Sequence, residues 1–158
     1  MNKRNRCRVC NHALEDVIDF GELPVSAFPK MEEPLPGSMP VVLALCKNCG
    51  LCQLRHSVDP DDMYSEYWYR SGINQSMQDS LKDVYSVASK LIPLRPGDLV
   101  LDIACNDGTL LKNMPAYLER VGIDPSNVHP PESVCDTFIN TYFSRAAFEL
   151  EYPDRKCR

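Results

Sequence analysis

Long hydrophobic runs are missing from this 158-residue chain. The longest, Val41-Val42-Leu43-Ala44-Leu45-Cys46, is strand-sized and far short of the roughly 20 apolar residues a membrane span needs. A secretory hydrophobic segment is missing from the start, where Lys3, Arg4, Arg6 and Arg8 crowd instead. We therefore expect a cytoplasmic protein with no membrane partner. Excess positive charge is missing too: a net charge of −5 argues against a general nucleic-acid binder. The basic start reads as a solvated tail in preference to a phosphate-binding arm. Histidine is scarce, and His12, His56 and His129 each read as surface residues.

Cysteine is abundant, with eight in the chain. Four form two C-x₂-C pairs, Cys7/Cys10 and Cys46/Cys49, with 35 residues between Cys10 and Cys46. Two thiolates three apart on a tight turn take adjacent corners of a tetrahedron, and two such turns close a Cys₄ zinc site. Gly50 follows the second pair, where a positive φ helps the turn. Disulfides are disfavoured in a reducing compartment. Unrelated core cysteines would not come in paired spacing. A closed four-thiolate site scaffolds and does not catalyse. Cys52 and His12 lie nearby as substitute ligands or bystanders.

Between the pairs the chain reads as a small β-rich module. Val17 to Phe20 is a strand ended by Gly21. Glu22 to Ser26 and the Pro-rich stretch from Pro29 to Pro40 read as a long irregular loop. Val41 to Leu45 is a second strand that delivers Cys46, and Leu51 to Leu54 a third. Some 58 proline-rich residues cannot build a large core, and a metal cross-link compensates. The domains expected are 1–58, zinc-binding; 59–73, an aromatic connecting segment; and 74–158, a larger α/β domain. The connecting segment, Tyr64-Ser65-Glu66-Tyr67-Trp68-Tyr69-Arg70-Ser71-Gly72, fits interdomain packing and a ligand cleft equally well. A helix follows, with Met77, Leu81, Val84, Tyr85, Ala88, Leu91 and Ile92 on one face. That stripe reads as a core face. Asn74 or Ser71 caps the helix, and Pro93 to Gly97 ends it.

The stretch from Val100 to Leu111 carries the chemistry. It reads as a buried strand ending on Asp102, an acidic-polar turn, and the start of a helix. A second strand, Arg120 to Asp124, ends on another carboxylate. This is the Rossmann arrangement for a nucleoside: the first βα turn lets backbone approach the ligand, and the acid closing strand two accepts from ribose hydroxyls. A loop from Pro125 to Ser133, a third strand from Thr137 to Phe143 and a short helix from Arg145 to Leu150 complete the reading.

The zinc pairs, the Gly21…Pro24 loop, the Tyr69-Arg70-Ser71-Gly72-Ile73-Asn74-Gln75 segment and the Cys105-Asn106-Asp107-Gly108-Thr109-Leu110-Leu111 turn occur in one order. That order resembles the N-terminal part of the nucleotide-sugar C-methyltransferases, a class I S-adenosylmethionine-dependent family with an N-terminal zinc domain. The resemblance implies an α/β fold: a Cys₄ zinc-binding β-rich domain, then an incomplete Rossmann-like domain holding strands one to three. It implies Cys7, Cys10, Cys46 and Cys49 as ligands of a structural Zn²⁺. It implies Asp102, Ala104, Asn106, Gly108 and Asp124 as the S-adenosylmethionine site. Ala104, Asn106 and Gly108 stand where a generic methyltransferase has three glycines, so Ala104 is expected to crowd the backbone near the methionine moiety. Tyr69 resembles the tyrosine that reaches the sugar, and the substrate implied is a nucleotide-linked keto-deoxysugar. The family's catalytic base lies beyond a fourth strand, about where this sequence stops. The chain is therefore expected to be truncated and inactive alone, with strand one left unpaired at an edge. The alternative expectation is a non-catalytic zinc module that docks on a second chain supplying the missing strands.

Overall fold

The computed structural model describes residues 1–24, 31–33, 37–64 and 67–158 and divides into two units, Met1–Met63 and Tyr64–Arg158. The residues from 59 to 63 thus fall in the first unit and those from 64 to 73 in the second. No described helix is long and apolar enough to cross a membrane.

The first unit is built on an antiparallel sheet of β2 (Glu15–Pro24), β3 (Ser38–Leu45) and β4 (Cys52–Leu54), in that spatial order. A second ribbon pairs β1 (Asn2–Lys3) with β5 (His56–Ser57). The short helix α1 (Pro60–Tyr64) follows, its start braced by Asp59, whose carboxylate accepts from the Asp61 N–H at 3.1 Å. Gly21 does not end its strand as expected. It sits at φ 77° inside a bulge, and β2 pairs on both sides of it, from Glu15↔Leu45 to Pro24↔Ser38. A left-handed glycine absorbs the extra residue while the ladder resumes. Glu22–Pro24 and Ser38–Pro40 are therefore strand and not loop. Val25, Ser26 and Pro29 lie outside the described residues. Pro40 is tolerated in the central strand because β4 pairs only with Leu43 to Leu45, leaving that side of β3 free where the missing N–H would fall.

The basic N-terminus is not a solvated tail. The Arg8 guanidinium donates to Gln53 Oε1 (2.9 Å), Leu54 O (2.7 Å) and Ser57 Oγ (2.9 Å). Buried Arg55 donates to Asp16 (2.6 Å), Arg4 O and Leu14 O. These cations tie the N-terminal segment to β4 and β5, serving a unit with too little apolar core to hold it otherwise.

The second unit contains a parallel sheet, ordered β6 (Leu99–Ile103), β7 (Glu119–Ile123), β8 (Thr137–Ile139). Helix α2 (Gln75–Leu91) precedes it, capped by the Asn74 side chain, and α3 (Arg145–Glu151) follows it, capped by Ser144. One apolar cluster joins Leu99, Val121, Phe148 and Tyr152, with Leu101 and Ile139. The other joins Cys105, Leu111 and Cys135, with Met114 and Phe138. Gly122 lies between Cys105 and Cys135. A Cβ there would come within 2.6 Å of Cys105 Sγ, so only glycine lets the turn settle on the strand.

Three expectations change here. The helix expected after Gly108 shrinks to a 3₁₀ turn at Leu111–Asn113, because Pro115 forces Met114 into extended backbone (φ −87°, ψ 138°). The third strand stops at Ile139 and does not run to Phe143; Asn140 turns aside to donate to Asp124 O (2.8 Å) and Ser126 O (3.0 Å). The apolar stripe of α2 is not a core face: none of its residues is buried, and Val84 and Leu91 are 54% and 76% exposed. The sheet beside which such a stripe would pack has only three strands among the described residues.

As expected, β6 is an edge strand. Among the described residues, its outer side is met by one backbone bond, from the Arg158 N–H to Leu99 O at 2.9 Å.

Candidate functional site

In the first unit, the two C-x₂-C turns are built alike. Asn11 N–H donates to Cys7 O (3.1 Å), and Gly50 N–H donates to Cys46 O (2.8 Å). Asn11 (φ 59°) and Gly50 (φ 74°) are both left-handed, so each chain reverses directly after its second cysteine. Asn11 was not foreseen, although it stands after Cys10 as Gly50 stands after Cys49. The four sulfurs lie within 4.8 Å of one another, with Cys7–Cys49 at 3.7 Å and Cys10–Cys46 at 3.4 Å. Tetrahedral zinc with 2.3 Å bonds to sulfur needs about 3.8 Å between sulfurs, so the donor set fits the metal.

Backbone and side-chain donors prepare the thiolates. Cys7 Sγ accepts from the Val9 N–H (3.4 Å) and from Gln53 Nε2 (3.3 Å), a partner the spacing argument did not anticipate. Gln53 is itself held by Arg8. A backbone hydrogen bond from His12, then the neighbouring thiols, hold Cys10 at about 5. The Leu51 N–H favours the Cys49 thiolate, but Cys10, burial, Cys46 and Cys7 together push it up to about 12. Four thiolates cannot share this volume without a cation. His12 turns its Nδ1 to Cys10 O at 3.0 Å, and neither His12 nor Cys52 is among the four clustered ligands.

In the second unit, the turn after β6 lies between two carboxylates. Ala104 (φ 62°), Asn106 (φ 51°) and Gly108 (φ 77°) are all left-handed. These are the three positions read as glycines in a generic methyltransferase, so the alternating backbone persists where two of the glycines do not. The cost is on the order of 1 kcal/mol at Ala104, less at Asn106. Asp124 is buried and organises the turn: Oδ2 accepts from the Asn106 N–H (2.9 Å) and Oδ1 from the Ser126 N–H (2.9 Å). Asp102 differs. Burial first, then the Asp124 charge, raises it to about 6, and no described group donates to its carboxylate. Burial, then Asp102 and Asp124, also push the Cys105 thiol well up, so it stays protonated against Gly122.

The aromatic segment joins this turn through its backbone. Asn106 Nδ2 donates to Tyr69 O (2.9 Å), and Asn106 Oδ1 accepts from the Ser71 N–H (3.0 Å). Asp107 Oδ2 accepts from the Gly72 N–H (2.8 Å). Tyr67, Trp68 and Tyr69 pack edge-on or tilted, with ring centroids 5.8–6.4 Å apart. Ser65 and Glu66 lie outside the described residues. Among the described contacts of the second unit, Tyr69 thus adjoins the turn that carries Ala104, Asn106 and Gly108. Sequence spacing could not reveal this bridge, because it spans 35 or more residues.

The geometry thus gives a Cys₄ cluster suited to zinc, followed by the first strands of a Rossmann-like parallel sheet. The comparisons agree. A methyltransferase family model described as "Putative zinc binding domain" matches residues 7–64. The chain is also 30% identical over 127 residues to the C-methyltransferase NovU of Streptomyces niveus, across 77% of this chain and 30% of that relative. A match of that length extends past the 63 residues of the first unit. The chain spans less than a third of the relative's length. The chain is thus similar to a C-methyltransferase along most of its own length and to a zinc-binding domain over residues 7–64.

Proposed function

We propose that this chain provides the zinc-scaffolded, cofactor-binding part of an S-adenosylmethionine-dependent C-methyltransferase acting on a nucleotide-linked keto-deoxysugar. The carrying observation is the run of three left-handed positions, Ala104, Asn106 and Gly108, between Asp102 and Asp124. Such a turn lets the backbone approach a ligand closely, and the second acid suits ribose hydroxyls. The cofactor, when bound, supplies an electrophilic methyl group. The chain's own residues hold it: the turn backbone takes the methionine end, and Asp124, fixed by two backbone donors, takes the ribose. Tyr69 stands as the residue facing the sugar. Zinc at Cys7, Cys10, Cys46 and Cys49 is structural, because a closed Cys₄ shell leaves no position for substrate. Carbon methylation beside a ketone also needs a base for the carbon acid and a group to steady the enolate. The reading assigns neither to residues 1–158, so binding without turnover is the expected behaviour.

Calorimetric titration of S-adenosylmethionine into the zinc-loaded chain tests this. Saturable binding, with a Kd on the order of 1–100 μM, is expected. Absence of heat at 1 mM ligand would overturn the cofactor assignment. Sugar methylation by these residues alone would overturn the assignment of binding without turnover.

A second reading, a non-catalytic zinc module that docks on another chain, draws on the open edge of β6 and the exposed apolar face of α2. Co-purification with a protein supplying adjoining strands, in the absence of any cofactor binding, would favour it.

A further inference from the structure

We propose that Asn106 and Asp107 are positioning residues that clamp the Tyr69–Gly72 backbone onto the cofactor turn, so that the aromatic segment follows the state of that turn. This deepens the cofactor reading above and rests on it for its ligand-dependent part.

The argument starts from what Asn106 gives up. Its φ of 51° is one that glycine adopts without strain. A side chain here carries a cost and needs a compensating contact. The amide finds two: its donor meets Tyr69 O and its acceptor meets the Ser71 N–H. An amide that engages the C=O of one residue and the N–H two residues on copies the pairing of a neighbouring strand. Asp107 continues the pattern. One oxygen takes the Gly72 N–H, while the other takes Thr109 Oγ1 (2.6 Å) and the Thr109 N–H (3.2 Å). Gln78 of α2 then donates to Gly72 O at 2.7 Å. Four backbone groups of one short segment are thus held by three side chains.

Gly72 shows how close the approach is. A Cβ there would come within 2.9 Å of Asp107 Oδ2 and 3.0 Å of Thr109 Oγ1. A side chain there would displace the Asp107 carboxylate or the segment itself, and either breaks the Asp107–Gly72 bond.

The clamp is continuous with the proposed ribose acceptor. Asp124 Oδ2 accepts from the Asn106 N–H, and the Asn106 side chain holds Tyr69 and Ser71. A ribose hydroxyl competing for Asp124 would shift the residue that carries the aromatic segment. Coupling of this kind needs a contiguous physical path, and this one contains a single residue between ligand acceptor and aromatic backbone.

Trp68 is the chain's sole tryptophan and reports on the segment directly. In the full zinc-loaded chain without ligand, Asn106→Gly keeps the backbone conformation and removes the part of the clamp that holds Tyr69 and Ser71. Its Trp68 acrylamide-quenching constant should rise roughly twofold, while far-UV circular dichroism stays unchanged, as for local release without global unfolding. Gly72→Ala releases the segment from the opposite side and should give the same rise. Unchanged quenching in a folded Asn106→Gly or Gly72→Ala protein would overturn the clamp. For the ligand-dependent part the probe is S-adenosylhomocysteine at saturation. Wild-type Trp68 emission should shift, and Gly72→Ala should bind, by calorimetry, without that shift. A full shift in the variant would overturn the coupling. No heat with wild type would instead fault the cofactor reading, and the ligand-free quenching comparison would still decide the clamp.

Discussion

Asp102 and Asp124 have the same chemistry and opposite circumstances. Asp124 has a backbone donor on each oxygen; Asp102 has none and is raised to about 6 by burial and by its neighbour's charge. An acid raised in the folded state binds its proton more tightly there than in the unfolded chain. Its effect on stability is therefore absent below about pH 4 and becomes a growing penalty as pH rises toward 6, constant above that. Asp102→Asn removes the penalty. The variant is expected to be more stable than wild type by about 1–3 kcal/mol at pH 7.5, a difference that vanishes near pH 4. Urea melts across that range measure it; a pH-independent difference would refute the cause. On the proposed reading, the same variant should also weaken cofactor binding. Both acids were legible in the sequence, because each ends a short apolar run. Their different environments were not, since these depend on Asn106, Ser126 and the course of the intervening loop.

At the scale of elements, the seam between β7 and β8 is fixed by a reciprocal pair. Arg120 donates from Nε and Nη2 to the two oxygens of Asp136 (3.0 and 2.9 Å); its backbone N–H also donates to Asp136 Oδ2, and the Asp136 N–H donates to Arg120 O, both at 2.8 Å. The Arg120 side chain is only 9% exposed, whereas that of Asp136 is 40%. Asp136→Ala strands a buried guanidinium and should cost roughly 2–3 kcal/mol, less than for a fully buried pair because water reaches the aspartate side. Because the Arg120 side-chain hydrogen bond holds Asp136 below the usual carboxylate range, its contribution is present at neutral pH. It is lost only as pH falls through that lowered value. Chemical denaturation at pH 7 and pH 3 checks both statements; equal losses at the two pH values would contradict the second. The main strands, though not β1 and β5, and both longer helices could be read from periodicity and caps. The bulge at Gly21 and the missing helix after Gly108 could not be read so directly. In each case one residue, a left-handed glycine or Pro115, altered the outcome against the local pattern.

For the whole molecule, two units rest on different sources of order. The second has two apolar clusters; the first has few buried apolar side chains, chiefly Val42, Ala44 and two of its zinc ligands. Its β2 strand is exposed along its full length. Metal binding must therefore supply much of its folding free energy, on the order of 10 kcal/mol for structural zinc. Chelation is expected to release the amides of Val42 to Leu45 and Cys52 to Leu54 to fast hydrogen exchange, and added zinc to restore them. Full protection after metal removal would refute this. The zinc unit was the most legible part of the sequence, since cysteine spacing alone announces it. Whether an apolar helix face is covered cannot be read from one element, and the stripe of α2 illustrates this: its pattern asks for a partner that the described residues do not supply.

The turn at Ala104, Asn106 and Gly108 has a further consequence, for the unfolded chain. Three glycines would leave it free to wander through both halves of conformational space. With alanine and asparagine in two of those places, the unfolded ensemble is narrower, and less entropy is lost when the turn forms. Strain in the folded state is exchanged for order before folding. On the proposed reading, a ligand would meet a turn already held by Asp124 and Asp107, and little of its binding free energy would go into arranging it.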